Sequence, residues 1–334
     1  MTAIALRRRA DRSGNAHGVL RFVGRRLVML VVALVVSSFV IFISLDLAPG
    51  DPLSVLTGGR SLPPAALNAL RHQYHLNDPL LTRYWDYITG VVLHGNLGTS
   101  IAFREPVSAL ISQRIAVTAE LVLYSAVLIV VFGVGLGVLA GLRRGFVDST
   151  IIAVSTLLAA IPSFVAAIVL LSVFAVKLGW LPALGNGSGF GGTIEHLTLP
   201  AIALAASAFA VVVRVTRVTV RSELEREHVQ TATSRGIPRR LVIRRHVLRN
   251  ASIPITTVVG ITITSLFALS AVVEQAFTLN GIGAALVQAA QSKDFAVVQG
   301  ISLLLVAAFV IANALVDLLY AVLDPRVAMG SRAA

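Results

Sequence analysis

The chain has 334 residues, of which 56% are hydrophobic and 13% charged, with a mean hydropathy of +0.84. This is too apolar for a soluble domain to hide, so the composition excludes an ordinary water-soluble protein and points to one embedded in lipid. The net charge of +12 would suit nucleic-acid binding, but its distribution below explains it otherwise, and the absence of cysteine excludes disulfides, thiolate nucleophiles and Cys metal sites.

Six stretches contain no Asp, Glu, Lys or Arg and are long enough to cross a hydrocarbon core of about 30 Å. They are Leu27–Leu45, Leu121–Leu142, Ile151–Val176, Leu197–Val213, Ala251–Val273 and Phe295–Val316. Backbone groups in lipid must be satisfied internally, so each reads as a helix and the fold as an all-α, six-span membrane protein. Residues 1–26 form a basic N-terminal segment, 27–46 the first span, 47–120 an outer loop, 121–323 a five-helix core containing a loop at 214–250, and 324–334 a tail. Arg25-Arg26 ahead of the first span resembles a signal peptide. Its apolar run is too long and lacks an A-x-A site, so it reads as a retained span.

The basic residues set the orientation. With the N-terminus inside, the inner segments hold 21 of the 28 Lys and Arg, ten of them between Arg214 and Arg249. Both termini are therefore expected in the cytoplasm, and the charge needs no nucleic acid.

In the first outer loop, Pro63-Pro64 opens a helical reading through Ala69 and Tyr74. Leu80, Leu81, Tyr84, Trp85, Ile88 and Val91 recur at helical spacing. Such an apolar face packs on its own transmembrane bundle or meets an outer partner; the first is the commoner use. His72 and His75 are three apart without a third ligand and read as solvent-facing. The segment from Lys177 to His196 is glycine-rich and expected to be mobile, and Asn280-Gly281-Ile282-Gly283 is a turn signal. No repeat unit of 20–50 residues occurs.

Gly135-Leu-Gly137-Val-Leu-Ala140 matches a dinucleotide fingerprint but lies wholly inside an apolar span. Gly133, Gly137 and Gly141 fall instead on one helical face, and Ala159, Ser163 and Ala167 repeat that spacing, so the second and third spans are expected to pack together. No catalytic motif is present. Asn313, Asp317, Tyr320 and Asp324 form a polar stripe down the sixth span, read as hydrogen-bonding glue between helices rather than a solute path.

The loop after the fourth span holds the remaining signal. Ser222-Glu-Leu-Glu225 reads as the start of a helix running to about Arg235. Gly236 breaks it, and Pro238 opens a second helix carrying Arg239, Arg240, Arg244 and Arg245 until Pro254 interrupts it. Ala232 and Gly236, followed by His246-Val-Leu-Arg249-Asn250-Ala-Ser-Ile-Pro254, resemble the EAA loop of bacterial ABC importer permeases. The form is that of the B-type subunit of the dipeptide, oligopeptide and nickel family. Arg25-Arg26-Leu27, Ala48-Pro-Gly-Asp-Pro52, Gly95-Asn-Leu-Gly98-Thr-Ser100, Asp294 to Gly300 and Asp317 to Arg326 fall in the family's order. His228, Arg235 and Leu279-Asn280-Gly281 stand where the family usually has Tyr, Lys and Trp-Pro-Gly; the last departure is expected to loosen an outer turn.

The resemblance implies that Glu225, Ala232, Gly236, Arg239, Arg240, His246, Asn250 and Pro254 belong to a loop that couples to a separate ATPase. The chain has no G-x-x-x-x-G-K-[ST], so ATP and Mg would sit on that partner, and this chain would bind no cofactor or metal and be no enzyme. The implied assembly contains a homologous C-type permease, two ATP-binding subunits and an extracytoplasmic substrate-binding protein that the first outer loop is expected to meet. The implied cargo is a dipeptide or oligopeptide; nickel or glutathione compete, and an ion-coupled carrier is the reading from another class. Most of the loop's arginines are read as topology signals near anionic lipid.

Overall fold

The structure is a computed structural model that describes residues 24–25, 27–45, 47, 63–73 and 78–323, with side chains described up to residue 316. Among these residues eleven helices are seen: α1 (Leu27–Leu45), α2 (Pro64–Gln73), α3 (Leu80–His94), α4 (Val107–Leu142), α5 (Phe146–Ala160), α6 (Ser163–Lys177), α7 (Gly189–Leu224), α8 (Glu227–Ser234), α9 (Arg239–Ala276), α10 (Ile282–Gln291) and α11 (Phe295–Leu323). The Ala48–Pro52 element, Arg26, His75 and Asp324, and the side chains of His72, Asp317 and Tyr320, lie outside what is described. α1, α4, α7, α9 and α11 are each long and apolar enough to span a membrane, and the bent pair α5–α6 is a sixth candidate if its two halves form one span.

The third apolar run is not one helix. Ile161 is extended and Pro162 caps α6, so α5 and α6 meet at 96°. Proline's ring crowds the preceding residue out of the α region, and a charge-free run conceals that break. Ala159 and Ser163 consequently do not share a continuous face.

α7 is the central helix, and it corrects two further expectations. The Gly133, Gly137 and Gly141 face of α4 packs on α7, not on the third span. A Cβ at Gly137 would stand 2.6 Å from Thr216 Cβ and 2.8 Å from the Val213 carbonyl oxygen; one at Gly141 would stand 2.8 Å from Val220 Cβ. α7 also continues well past Val213 to Leu224, so the Ser222–Glu225 stretch expected to begin a helix ends one. Its arginines find partners on α5: Arg217 makes a bidentate pair with Asp148, Arg221 Nη2 donates to Asp148 Oδ2 at 3.1 Å, and Arg214 Nη2 donates to Thr156 Oγ1 at 2.8 Å. At 36 residues α7 is about 54 Å long, more than a hydrocarbon core requires.

α9 runs unbroken through Pro254, which is exposed and lacks the N–H that would donate to the Asn250 carbonyl. A π-helical turn at Ile243–Leu248 precedes it. α4 begins at Val107, inside the segment assigned to the outer loop, with Glu120 exposed and Arg114 stacked 5.0 Å from the Phe103 ring.

The end opposite the 214–250 segment is fastened by two fully buried carboxylates. Glu274 accepts from Thr118 Oγ1 at 2.8 Å and from the Ala284 amide at 2.9 Å, at the N-terminus of α10. A Cβ on Gly281 would overlap that carboxylate, so Gly281 is held tightly and the turn is not loose. Asp294 accepts from Ser100 Oγ at 2.6 Å and the Ala102 amide at 2.9 Å, tying the 98–103 loop to the start of α11. The glycine-rich segment is also partly ordered. Asn186 Oδ1 accepts from the Asn280 amide at 3.0 Å, and α7 has already begun at Gly189.

α3 packs on α1 as expected for its commoner use. Tyr84 OH lies 2.8 Å from Ser38 Oγ, and its ring meets Phe39 and Phe42 edge-on at 5.0 and 5.5 Å. Burial pushes the Tyr87 hydroxyl up to about 12. The other face of α3, with Leu81, Trp85 and Val92, is exposed.

Gly137→Leu tests the α4–α7 contact. Four added carbons have no space, and overpacking of this kind costs about 1–3 kcal/mol. The expected result is a lower detergent melting midpoint for Gly137→Leu and an unchanged one for Gly135→Leu, whose Cβ meets nothing within 4 Å.

A candidate coupling segment

α7 ends at Leu224, and Glu225 and Arg226 turn the chain into α8. Glu223 is the buried acid of this turn, 8% exposed: its carboxylate pairs with Arg226 Nε at 3.1 Å and lies 3.9 Å from His228 Nε2. Glu225 points away and is exposed, where it pairs with Arg144 Nη2 at 3.3 Å.

α8 has only eight residues and cannot stand alone in water. It is held because Val229 and Ala232, three apart on one face, are buried against Val220 of α7 and Val242, Val247, Ala251 and Ile255 of α9. The end of α8 explains the spacing of Ala232 and Gly236. The Ile237 amide donates to the Ala232 carbonyl at 3.2 Å and the Gly236 amide to the Thr233 carbonyl at 3.0 Å. This is a Schellman cap, in which the C-terminal residue four past Ala232 must be left-handed; Gly236 has φ of 74°. Ile237 closes the motif by packing into the same apolar cluster as Ala232.

Gly236 faces open space: a Cβ there would touch nothing within 4 Å. Within the chain its role is therefore backbone handedness, not close packing. Pro238 then caps α9 with φ of −53°, and Arg239 and Arg240 project from the first turn, exposed.

His246 and Asn250 come round to α8. Asn250 Nδ2 is 3.1 Å from His228 Nε2, and the rings of His228 and His246 are 6.3 Å apart. Of the eight residues the sequence singled out, the structure thus joins Ala232 with Gly236 and His246 with Asn250. Glu225 is turned to Arg144, and Pro254 lies a turn beyond, outside the segment. Sequence reading missed Glu223, Arg226 and Val229. The i, i+3 pairs Glu223–Arg226 and Val229–Ala232 were visible signals, obscured by taking Ser222–Glu225 as a helix start.

Residues 133–329 match the family model of the binding-protein-dependent transport system inner membrane component, and residues 19–122 match the model of its N-terminal region. The chain belongs to this family. It is 34% identical over 311 residues to the oligopeptide transport system permease protein OppB of Salmonella typhimurium, covering 92% of this chain and 99% of that one. It is also 34% identical over 312 residues to the glutathione transport system permease protein GsiC of Pectobacterium atrosepticum, with the same coverage. The fold is that of a chain in the inward-facing MetNI methionine ABC transporter, with a TM-score of 0.55 at 17% identity, covering 64% of this chain and 96% of the other. The protein is therefore a multi-pass inner-membrane permease component of an ABC importer.

The cap can be separated from any demand made by a partner. Gly236→Asn keeps a residue that tolerates the left-handed region, whereas Gly236→Val forces a β-branched one into it, at about 1–2 kcal/mol. Hydrogen exchange of the Gly236 and Ile237 amides is expected to accelerate about tenfold in Gly236→Val and to change little in Gly236→Asn.

Proposed function

We propose that this permease imports peptides and that residues 223–250 are the part of it that a separate ATPase subunit grips. The observation that carries the reading is the short α8, locked between the ends of α7 and α9 by its buried Val229–Ala232 face and its Schellman cap. A partner that pushes on α8 pushes on two membrane-crossing helices at once. The exposed face of α8 and the guanidiniums of Arg239 and Arg240 are free to be touched, while Glu223, His228 and Asn250 fix the segment from behind. Both termini then lie in the cytoplasm, as the arginine distribution favours.

A peptide cargo is supported by two relatives, one named for oligopeptides and the other for glutathione, itself a peptide. In this reading the chain pairs with a homologous permease, binds two ATPase subunits inside and receives its solute from a binding protein outside. The exposed Leu81, Trp85 and Val92 of α3 offer that protein an apolar face.

Two measurements check these proposals. Ser234→Cys adds the sole thiol to a chain that has none, and it should cross-link to an ATPase subunit carrying a cysteine in its permease-facing groove. No cross-link from any exposed α8 position would remove the coupling assignment. Uptake of a labelled oligopeptide into proteoliposomes holding the assembled transporter should stop when ATP is depleted and persist when ionophores collapse the ion gradients. The reverse pattern would indicate an ion-coupled carrier, and competition by nickel but not by peptides would reassign the cargo.

A further inference from the structure

Beside the coupling segment, between the α4–α5 turn and the first turn of α9, lies a half-open cleft of about 330 Å3. That is at the lower end of the range of about 300–1,000 Å3 for ligand clefts. Its lining includes Arg143, Arg144, Arg221 and Arg239, with Glu225 as the one acid. The four guanidiniums differ in how far they are already satisfied. Arg221 is bonded to Asp148 and to the Arg143 carbonyl, yet its Nε is buried without a partner. Among the described residues Arg144 is held by Glu225 alone, through an exposed pair that salt readily screens. Arg143 and Arg239 have no side-chain partner among the described residues. Two uncompensated forks and one loosely held fork thus line a single cleft, with the Arg221 Nε itself buried. Planar guanidiniums grouped in this way match the oxygens of a phosphate, which each can bind in a bidentate manner.

The surroundings of the cleft indicate where the phosphate comes from. Leu139 on the last turn of α4 is 40% exposed, and Phe146 at the start of α5 is 85% exposed. They flank Arg143 and Arg144 in sequence, where the apolar run of α4 ends, so apolar chains attached to the phosphate would have contacts waiting.

We propose that the cleft binds the phosphodiester headgroup of an acidic phospholipid of the inner leaflet. In the bound state the phosphate bridges Arg143 to Arg239 and competes with Glu225 for Arg144. The lipid thereby ties the α4–α5 turn to the first turn of α9, the helix that carries the coupling segment's C-terminal half. Lipid composition would then set how stiffly that segment is mounted. The assignment to the inner leaflet rests on the orientation proposed above, but its test is read without transport and so fails separately from the proposed function.

The test uses the assembled transporter in phosphatidylcholine nanodiscs doped with phosphatidylglycerol, with retained lipid counted by native mass spectrometry. The wild-type complex should hold phosphatidylglycerol in preference to phosphatidylcholine. Arg143→Gln with Arg239→Gln should lower that retention at least about tenfold, the effect of losing one charge-assisted contact. Arg143→Lys with Arg239→Lys keeps the charges and should retain an intermediate amount, which separates lost binding from lost folding. Equal retention in the wild type and the glutamine variant would overturn the site. Full displacement by millimolar inorganic phosphate would assign the cleft to a free anion and overturn the lipid. Binding that appears only once the ATPase subunits are stripped away would show that acidic groups of that partner fill the cleft, and would overturn it too.

Discussion

The pairing of Asp148 with Arg217 and Arg221 governs how far the central helix reaches. Those two arginines sit on the C-terminal part of α7, past the charge-free run that ends at Val213, with their side chains only 26% exposed. Uncompensated, each would have to turn to water, and the helix could not press its Thr216 and Val220 face against Gly137 and Gly141. With Asp148 between them, charge and packing are satisfied together. Losing one partner of a buried pair costs up to about 3–5 kcal/mol, and less where the guanidiniums keep some solvent as here. The extra turns of α7 carry Glu223 and Leu224 out to where α8 can be hung.

From that projection the geometry of the proposed coupling segment follows. α8 lies across the ends of α7 and α9, and the left-handed Gly236 turns the chain directly into α9. α9 then runs 38 residues, about 57 Å, to the opposite end, where Glu274 binds Thr118 of α4 and the first turn of α10. Asp294 fastens the 98–103 loop to α11 beside it. A displacement of α8 therefore has a continuous rod along which to travel, fixed at its far end by a buried carboxylate. Buried carboxylates at helix N-termini suit this task, because the free N–H groups and the helix dipole both favour negative charge there.

Much of this was readable from the chain. Charge-free runs located the five long candidate spans and the bent α5–α6 pair, and the composition alone pointed away from a soluble fold. The Ala232–Gly236 spacing marked the right place before its cause, a Schellman cap, was visible. What misled were features whose meaning depends on partners distant in sequence. Arg214 seemed to end a span because its partner Thr156 lies 58 residues away. Pro254 reads as a helix stop although α9 continues through it, while Pro162, inside an unbroken apolar run, stands where the chain bends. The glycine stripe was recognised, but a stripe does not name its partner. Gly281 looked like looseness, whereas it is the space into which Glu274 fits.

The central claim is that α8 is mounted rigidly on the ends of α7 and α9, so that force on it reaches the membrane. The chain has no cysteine, so spin labels can be placed at will. Labels at Ser222 on α7 and Ser234 on α8 measure this mounting directly by pulsed electron spin resonance, in nucleotide-free and ATP-trapped transporter. The account predicts one narrow distance distribution, unchanged between the two states. A distribution that broadens or shifts when ATP binds would mean that α8 swings on its own hinge, and would contradict it.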